Sequence, residues 1–154
     1  MAKLSAGLLL YRKKGGVLEL FLVHPGGPFW KNKDKGAWSI PKGEFTNEKP
    51  LEAARREFKE ETGFSVSGPF EELTPIKQKG GKWVYAWAVK ADVDPDKIRS
   101  NKFAVHYGSG RTQEYPEVDR AEWFTVDEAK EKILESQAKL IDQLTDRVKI
   151  SSKG

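Results

Sequence analysis

Three glutamates, Glu57, Glu60 and Glu61, stand close together in the stretch REFKEETG, residues 56–63. On a helix turning about 100° per residue they fall in one sector beside the apolar stripe set by Phe58. Like charges at helical neighbour spacing cost about 0.2–0.5 kcal/mol per pair, and the C-terminal end of the helix dipole adds to that cost. Two readings remove the penalty. One is a solvated acidic face in which Arg56 pairs with Glu60 and Glu52 with Arg56. The other is a divalent cation, because Mg²⁺ takes hard oxygen ligands, often one or two carboxylates together with waters and substrate phosphates. Ala53 shares the sector, and its small side chain would leave room for a ligand to approach.

The helix carrying these acids is predicted over Pro50 to Thr62, with Leu51, Ala54 and Phe58 as its apolar stripe. Pro50 suits a first turn and Gly63 the position just past the end. Ahead of it, residues 4–11 (LSAGLLLY) and 18–24 (LELFLVH) predict two strands joined through RKKGG and covered on both faces. Between these strands and the helix runs PGGPFWKNKDKGAWSIPKGEFTNEK, a long loop with only a brief strand-like WSI. Its Trp30, Trp38 and Phe45 predict an ordered, packed segment.

After the helix, FSVSGPFEEL and KWVYAWAVKAD read as strands, the second alternating Trp83, Tyr85, Trp87 and Val89 with Val84, Ala86 and Ala88. Asp92 to Asn101 reads as a turn or short helical connection, and FAVHYG as a further strand. Thr125 and Glu128 have capping-box spacing, and Leu140, Ile141, Leu144 and Val148 give a second amphipathic stripe. The mixture predicts an α/β fold, a central mixed β-sheet with helices packed on its faces.

With 154 residues, 38% hydrophobic and 32% charged and the two kinds interleaved, the chain is expected to fold as a single domain over 1–154. The apolar run Ala6 to Tyr11 is too short for a membrane span and no small-residue cleavage site follows it, so a cytoplasmic protein without membrane association is expected. Zero cysteines exclude disulfides, thiolate nucleophiles and cysteine-ligated zinc, leaving oxygen or histidine to hold any metal. His24 and His106 have no paired spacing and read as structural. The net charge of +4 suits an anionic ligand and equally a plain solvated surface. Nothing in the pattern sets an oligomeric state.

The segment GEFTNEKPLEAARREFKEETGF, Gly43 to Phe64, resembles the signature of the Nudix (MutT-type) hydrolases: Gly, five residues, Glu, seven residues, then Arg-Glu-apolar-any-Glu-Glu-any-Gly-apolar. Arg56, Glu57, Phe58, Glu60, Glu61, Gly63 and Phe64 match without a gap, and Glu48 stands eight positions before Arg56. Only four residues separate Gly43 from Glu48, so the loop leading into the helix is one residue shorter than the family pattern. The resemblance implies a Nudix-type α/β/α sandwich. It also implies Mg²⁺-dependent hydrolysis of a pyrophosphate bond in a nucleoside diphosphate linked to another group, with Mn²⁺ as a substitute metal. The nearest branch in pattern takes dinucleoside polyphosphates or nucleoside triphosphates.

By the same resemblance Glu57, Glu60 and Glu61 bind metal, with the Gly43 carbonyl as a further oxygen ligand. Arg56 and Glu48 orient the carboxylates through charge-assisted hydrogen bonds. Family members draw the general base either from the box or from a later loop, so Glu57 and Glu117 both stand as candidates, with Glu114 behind them. Glu117 precedes Trp123 by six residues, as a loop glutamate does in several members. WSIPKG, Trp38 to Gly43, resembles the W-x-x-P-K-G segment of dinucleoside polyphosphate hydrolases, making Trp38 and Lys42 candidates for substrate binding and Lys42 a phosphate contact. Lys31, Lys33 and Lys35 could add a positive rim. Tyr85, Trp87 or Tyr107 could stack on a base, although alternating aromatics on a strand are more often core.

The expected partner is a small-molecule nucleotide. A catalytically silent Nudix-fold nucleotide sensor is the alternative, with the shortened loop as its hint. A nucleic-acid-binding module is a further one, but no aromatic-basic RNA motif is present and no obligate nucleic acid is expected.

Overall fold

The computed structural model describes residues 3–153, with side chains described from 3 to 148. Two strands, β1 (Leu4–Lys14) and β2 (Val17–Pro25), form an antiparallel hairpin around Gly15 and Gly16. Leu8, Leu9 and Leu10 are each 0% exposed, so consecutive side chains are covered on both faces, as the continuous hydrophobic run requires.

β1 lies at the heart of a mixed sheet. Its first eight residues pair in parallel with the whole of β6 (Trp83–Lys90), from Leu4 opposite Trp83 to Tyr11 opposite Lys90. Its other edge is shared. β2 pairs with Tyr11 to Lys14, and the short β3 (Lys42–Glu44) pairs with Ser5 to Gly7. Between these two partners the sheet splays open, held by Leu8 N–H on the Pro41 carbonyl at 3.2 Å and by a bridge between Val23 and Ser39. Two-residue strands, β4 (Glu71–Glu72) and β5 (Ile76–Lys77), line the far edge of β6. A separate hairpin of β7 (Lys102–His106) and β8 (Thr112–Pro116) leads into β9 (Val118–Thr125), which pairs with β2.

Helices cover both faces. α1 (Pro50–Thr62) packs Ala53, Ala54 and Phe58 against Leu8, Leu10, Phe21, Trp87 and Val89. The opposite face takes α2 (Val126–Lys132) and α3 (Ala138–Lys153), which set Ala129, Leu140, Ile141 and Leu144 on Leu9, Leu20, Leu22, Val84, Ala86 and Ala88. The predicted alternation in β6 therefore divides its side chains between two hydrophobic layers. Each fully buried large apolar side chain in them contributes about 1.5–3 kcal/mol. The capping box forms, with Thr125 Oγ1 accepting from Glu128 N–H and Glu128 accepting from Thr125 N–H. The connection after β6 holds a single 3₁₀ turn at Pro95–Lys97.

Two expectations are corrected. The segment FSVSGPFEEL is strand only at Glu71–Glu72; Phe64, Val66 and Phe70 pack individually onto the α1 layer, without a ladder. Ala53 leaves no room for a ligand, because it is 0% exposed and part of that layer. Among the described residues, no helix is long and apolar enough to cross a membrane.

Candidate active site

The splayed edge of β1 brings β3 and the last turns of α1 together. Pro50 opens the helix after an extended Lys49. Gly63, at φ 81°, closes it in a left-handed conformation with its N–H on the Lys59 carbonyl at 2.7 Å. Glu57, Glu60 and Glu61 thus fall in the second half of a helix with fixed ends.

Arg56 organises this half. Its Nη2 donates to Glu48 Oε1 at 2.7 Å and its Nε to Glu48 Oε2 at 3.0 Å, while Nη1 donates to Glu57 at 2.8 Å and Glu60 at 3.1 Å. The shortened loop turns through Asn47, at φ 57°, and still delivers Glu48 to the guanidinium. One cation therefore holds three carboxylates. The bond to Arg56 pulls Glu48 below the usual carboxylate range, and its acidic partners raise the Arg56 guanidinium further still.

Glu61 lies outside that clasp. Its Oε1 accepts from the Lys42 main-chain N–H at 3.2 Å, and burial, reinforced by Glu117 and Glu57, pushes its carboxyl up to about 8. Burial is also the leading cause that raises Glu57 and Glu117; Glu60 adds repulsion to both. Four acids thus converge on too little positive charge. Gly43 completes the arrangement, since a Cβ there would collide with the Glu57 carboxylate.

These groups suit a hard divalent cation: all are oxygen donors, they crowd like charges together, and the burial of three of them disfavours the charged form that a metal would restore. Among the described residues, no three acidic or histidine groups already stand at metal-holding spacing. Glu57 and Glu60 turn instead to Arg56, with which a cation would compete.

A cavity of about 200 Å³ opens beside the acids, lined by Lys42, Glu61, Glu117, Trp30, Pro25 and Val118 among others. Burial lowers the Lys42 ammonium. A larger cavity, about 980 Å³, lies between the β5–β6 turn and the start of α3, with Lys77, Lys79, Lys82, Trp83 and Lys139 in its walls. Leu134 borders both. Lys82 also pairs with Glu44 at 2.9 Å, next to Gly43.

The remaining candidates are placed as follows. Trp38 does not face the cleft: it is 1% exposed, edge-on to Phe124 and His24, with its indole N–H on Asp34 at 2.8 Å. Its expected substrate contact is corrected to support of the loop. Tyr85 is half-buried against Phe45 on the α1 layer, and Trp87 is buried there. Glu114 is exposed on β8, as are Lys31, Lys33 and Lys35 in their loop. His106 pairs with Thr112 on the hairpin. Trp30 and Lys82 reach the cavities but carried no positional signal, since loop residues have no periodicity that assigns them a face; Trp83, read on the strand alternation, lines the larger cavity from the start of β6.

Fold and box together define the Nudix pyrophosphohydrolase class. A family model described as NUDIX domain matches residues 1–144, and the chain belongs to that family. No curated protein matches the chain. Among solved structures, a Caenorhabditis elegans Ap4A hydrolase binary complex aligns at TM-score 0.67 and 22% identity, covering 96% of this chain and 98% of that one. The NUDIX domain of Shewanella oneidensis NrtR, complexed with ADP ribose, aligns at 0.69 and 16%, covering 96% and 89%. A mutT/nudix family protein from Listeria innocua aligns at 0.61 and 19%, covering 97% and 95%. At these identities the likeness speaks for the fold.

Proposed function

We propose that the protein, acting as one catalytic domain, is a Mg²⁺-dependent hydrolase of a pyrophosphate bond in a dinucleoside polyphosphate or nucleoside triphosphate. The observation that carries this reading is the crowding of four carboxylates, Glu57, Glu60, Glu61 and Glu117, two of which, Glu61 and Glu117, line a cleft together with Lys42. Glu57, Glu60, Glu61 and the Gly43 carbonyl would hold the metal. When bound, a divalent cation neutralises phosphate charge and acidifies a water.

The chain's own groups do the rest. Arg56, braced by Glu48, fixes the carboxylates of Glu57 and Glu60. Lys42 meets a phosphate from the cleft wall. Glu117, with Glu57 as the second candidate, takes the proton of the attacking water; burial makes its carboxylate a stronger base than a solvated one. The larger cavity offers a nucleoside the exposed ring of Trp83 and the cations Lys77, Lys79 and Lys82. The Ap4A hydrolase and ADP-ribose complexes among the similar structures support a nucleotide ligand.

The Glu48–Arg56 contact favours an active enzyme over a silent sensor, because the shortened loop was the sensor's hint and it leaves the contact intact. Incubation with Mg²⁺ and, separately, dinucleoside polyphosphates, triphosphates, nucleotide sugars and capped RNA, followed by product identification, tests the proposal. Cleavage of a dinucleoside polyphosphate or a triphosphate is expected. Binding without turnover across the panel would favour the sensor.

A further inference from the structure

His24, near the end of β2, is 0% exposed. Its Nδ1 lies 2.8 Å from Asp119 Oδ1 on β9, and its Nε2 lies 2.6 Å from the Lys33 main-chain carbonyl in the loop that carries Trp30. A carbonyl oxygen only accepts, and so does an ionised carboxylate. Two acceptors on one imidazole need a proton on each nitrogen. A neutral ring would turn a lone pair toward one of these oxygens, in an interior with little to screen the repulsion.

The bonds join both walls of the small cavity. Lys33 N–H donates to the Trp30 carbonyl at 3.0 Å, and on the other side Gly26 N–H donates to the Glu117 carbonyl at 2.9 Å. Trp30 and Glu117 both line the cleft. The charged side chain that meets the ring is Asp119 of β9, with Arg120 at 4.0 Å from it; Asp34 and Lys132 pair with each other beside Trp38, whose ring meets that of His24 edge-on.

We propose that His24 is a buried imidazolium that clasps the Trp30 loop to β9, a positioning residue that sets the wall of the cleft beside Glu117. The proposal rests on reading that cleft as the substrate site. ¹⁵N spectra of the labelled full chain at pH 7 test it directly. Both ring nitrogens of His24 are expected to resonate as protonated; a ring with one bare nitrogen would overturn the proposal. Asp119→Asn removes the partner's charge and is expected to reduce the doubly protonated population, whereas an unchanged spectrum would reject the pairing.

Kinetics give the functional half. His24→Gln is expected to raise KM for a dinucleoside polyphosphate at least about fivefold with kcat within about twofold of the parent. A loss confined to kcat would refute the role in the cleft wall. The parent spectrum needs neither turnover nor a folded variant, so an inactive parent chain would sink the functional reading while His24 is still judged on its own protons.

Discussion

The Arg56 guanidinium grips both carboxylate oxygens of Glu48, at 2.7 Å and 3.0 Å, across the loop that the family pattern would make one residue longer. Its other arm reaches the acids of the box. A compact ammonium cannot do both. Arg56→Lys is therefore expected to lower turnover by about 10–100-fold, the range seen when a residue orienting metal ligands is lost. Glu48→Gln should have a smaller effect in the same direction. Steady-state rates over a Mg²⁺ titration check this; parent-like rates in Arg56→Lys would contradict the bracing role.

Glu60→Gln and Glu61→Gln each remove a charge from the proposed metal platform. Turnover is expected to fall at least about a hundredfold, as it does when a site loses an important electrostatic group. Glu117→Gln separates the base from the ligands: kcat should fall by about 10²–10⁴ while Mg²⁺ affinity stays near the parent value. If Glu57→Gln alone lowers kcat and Glu117→Gln does not, the base belongs to the box.

Gly43 lies where a methyl group would strike the Glu57 carboxylate. Gly43→Ala should cost about 1–3 kcal/mol of stability through overpacking. The displaced carboxylate should depress activity further than the lost stability accounts for. Urea melts paired with rates measured well below the melting temperature separate these effects; a stable variant of full activity would show that the contact yields freely.

Stability without metal should fall as pH rises from about 4.5 to about 8. Glu61 gives up its proton near 4.5 when unfolded but holds it to about 8 when folded, so across that window the unfolded chain releases a proton that the folded one retains. Glu57 and Glu117 are raised as well and act in the same direction. Glu48, Glu44, Glu128 and Asp34 are lowered, and their contribution is lost only at more acid pH. In chelator, Tm is expected to be higher at pH 5.5 than at pH 8. Added Mg²⁺ should raise Tm more at pH 8, where protons no longer compete for the carboxylates. Equal Tm values and equal Mg²⁺ increments would contradict the carboxylate assignment.

The helix bearing the acids was legible in full, since Pro50, the Leu51–Ala54–Phe58 stripe and Gly63 are local signals read within a few residues. The Arg56–Glu60 bond followed from helical spacing, and Glu48 came with the family pattern. Contacts made across the fold were beyond reach. The Lys42 main-chain bond to Glu61 depends on where β3 joins β1, and His24 meets an acid 95 residues away. Trp38 was misplaced because a loop has no period to say which way an aromatic faces. FSVSGPFEEL misled by composition, its apolar residues being spaced like a strand yet seated one at a time on the helix layer.

The β7–β8 hairpin is cinched at its base, where Glu117 N–H donates to the Asn101 carbonyl at 2.8 Å. Above that knot the strands bond to each other, with Phe103 set against Gly27 as their lateral prop. Lengthening, trimming or re-sequencing the tip around Tyr107 is therefore expected to leave the acid at the root of the arm at its station.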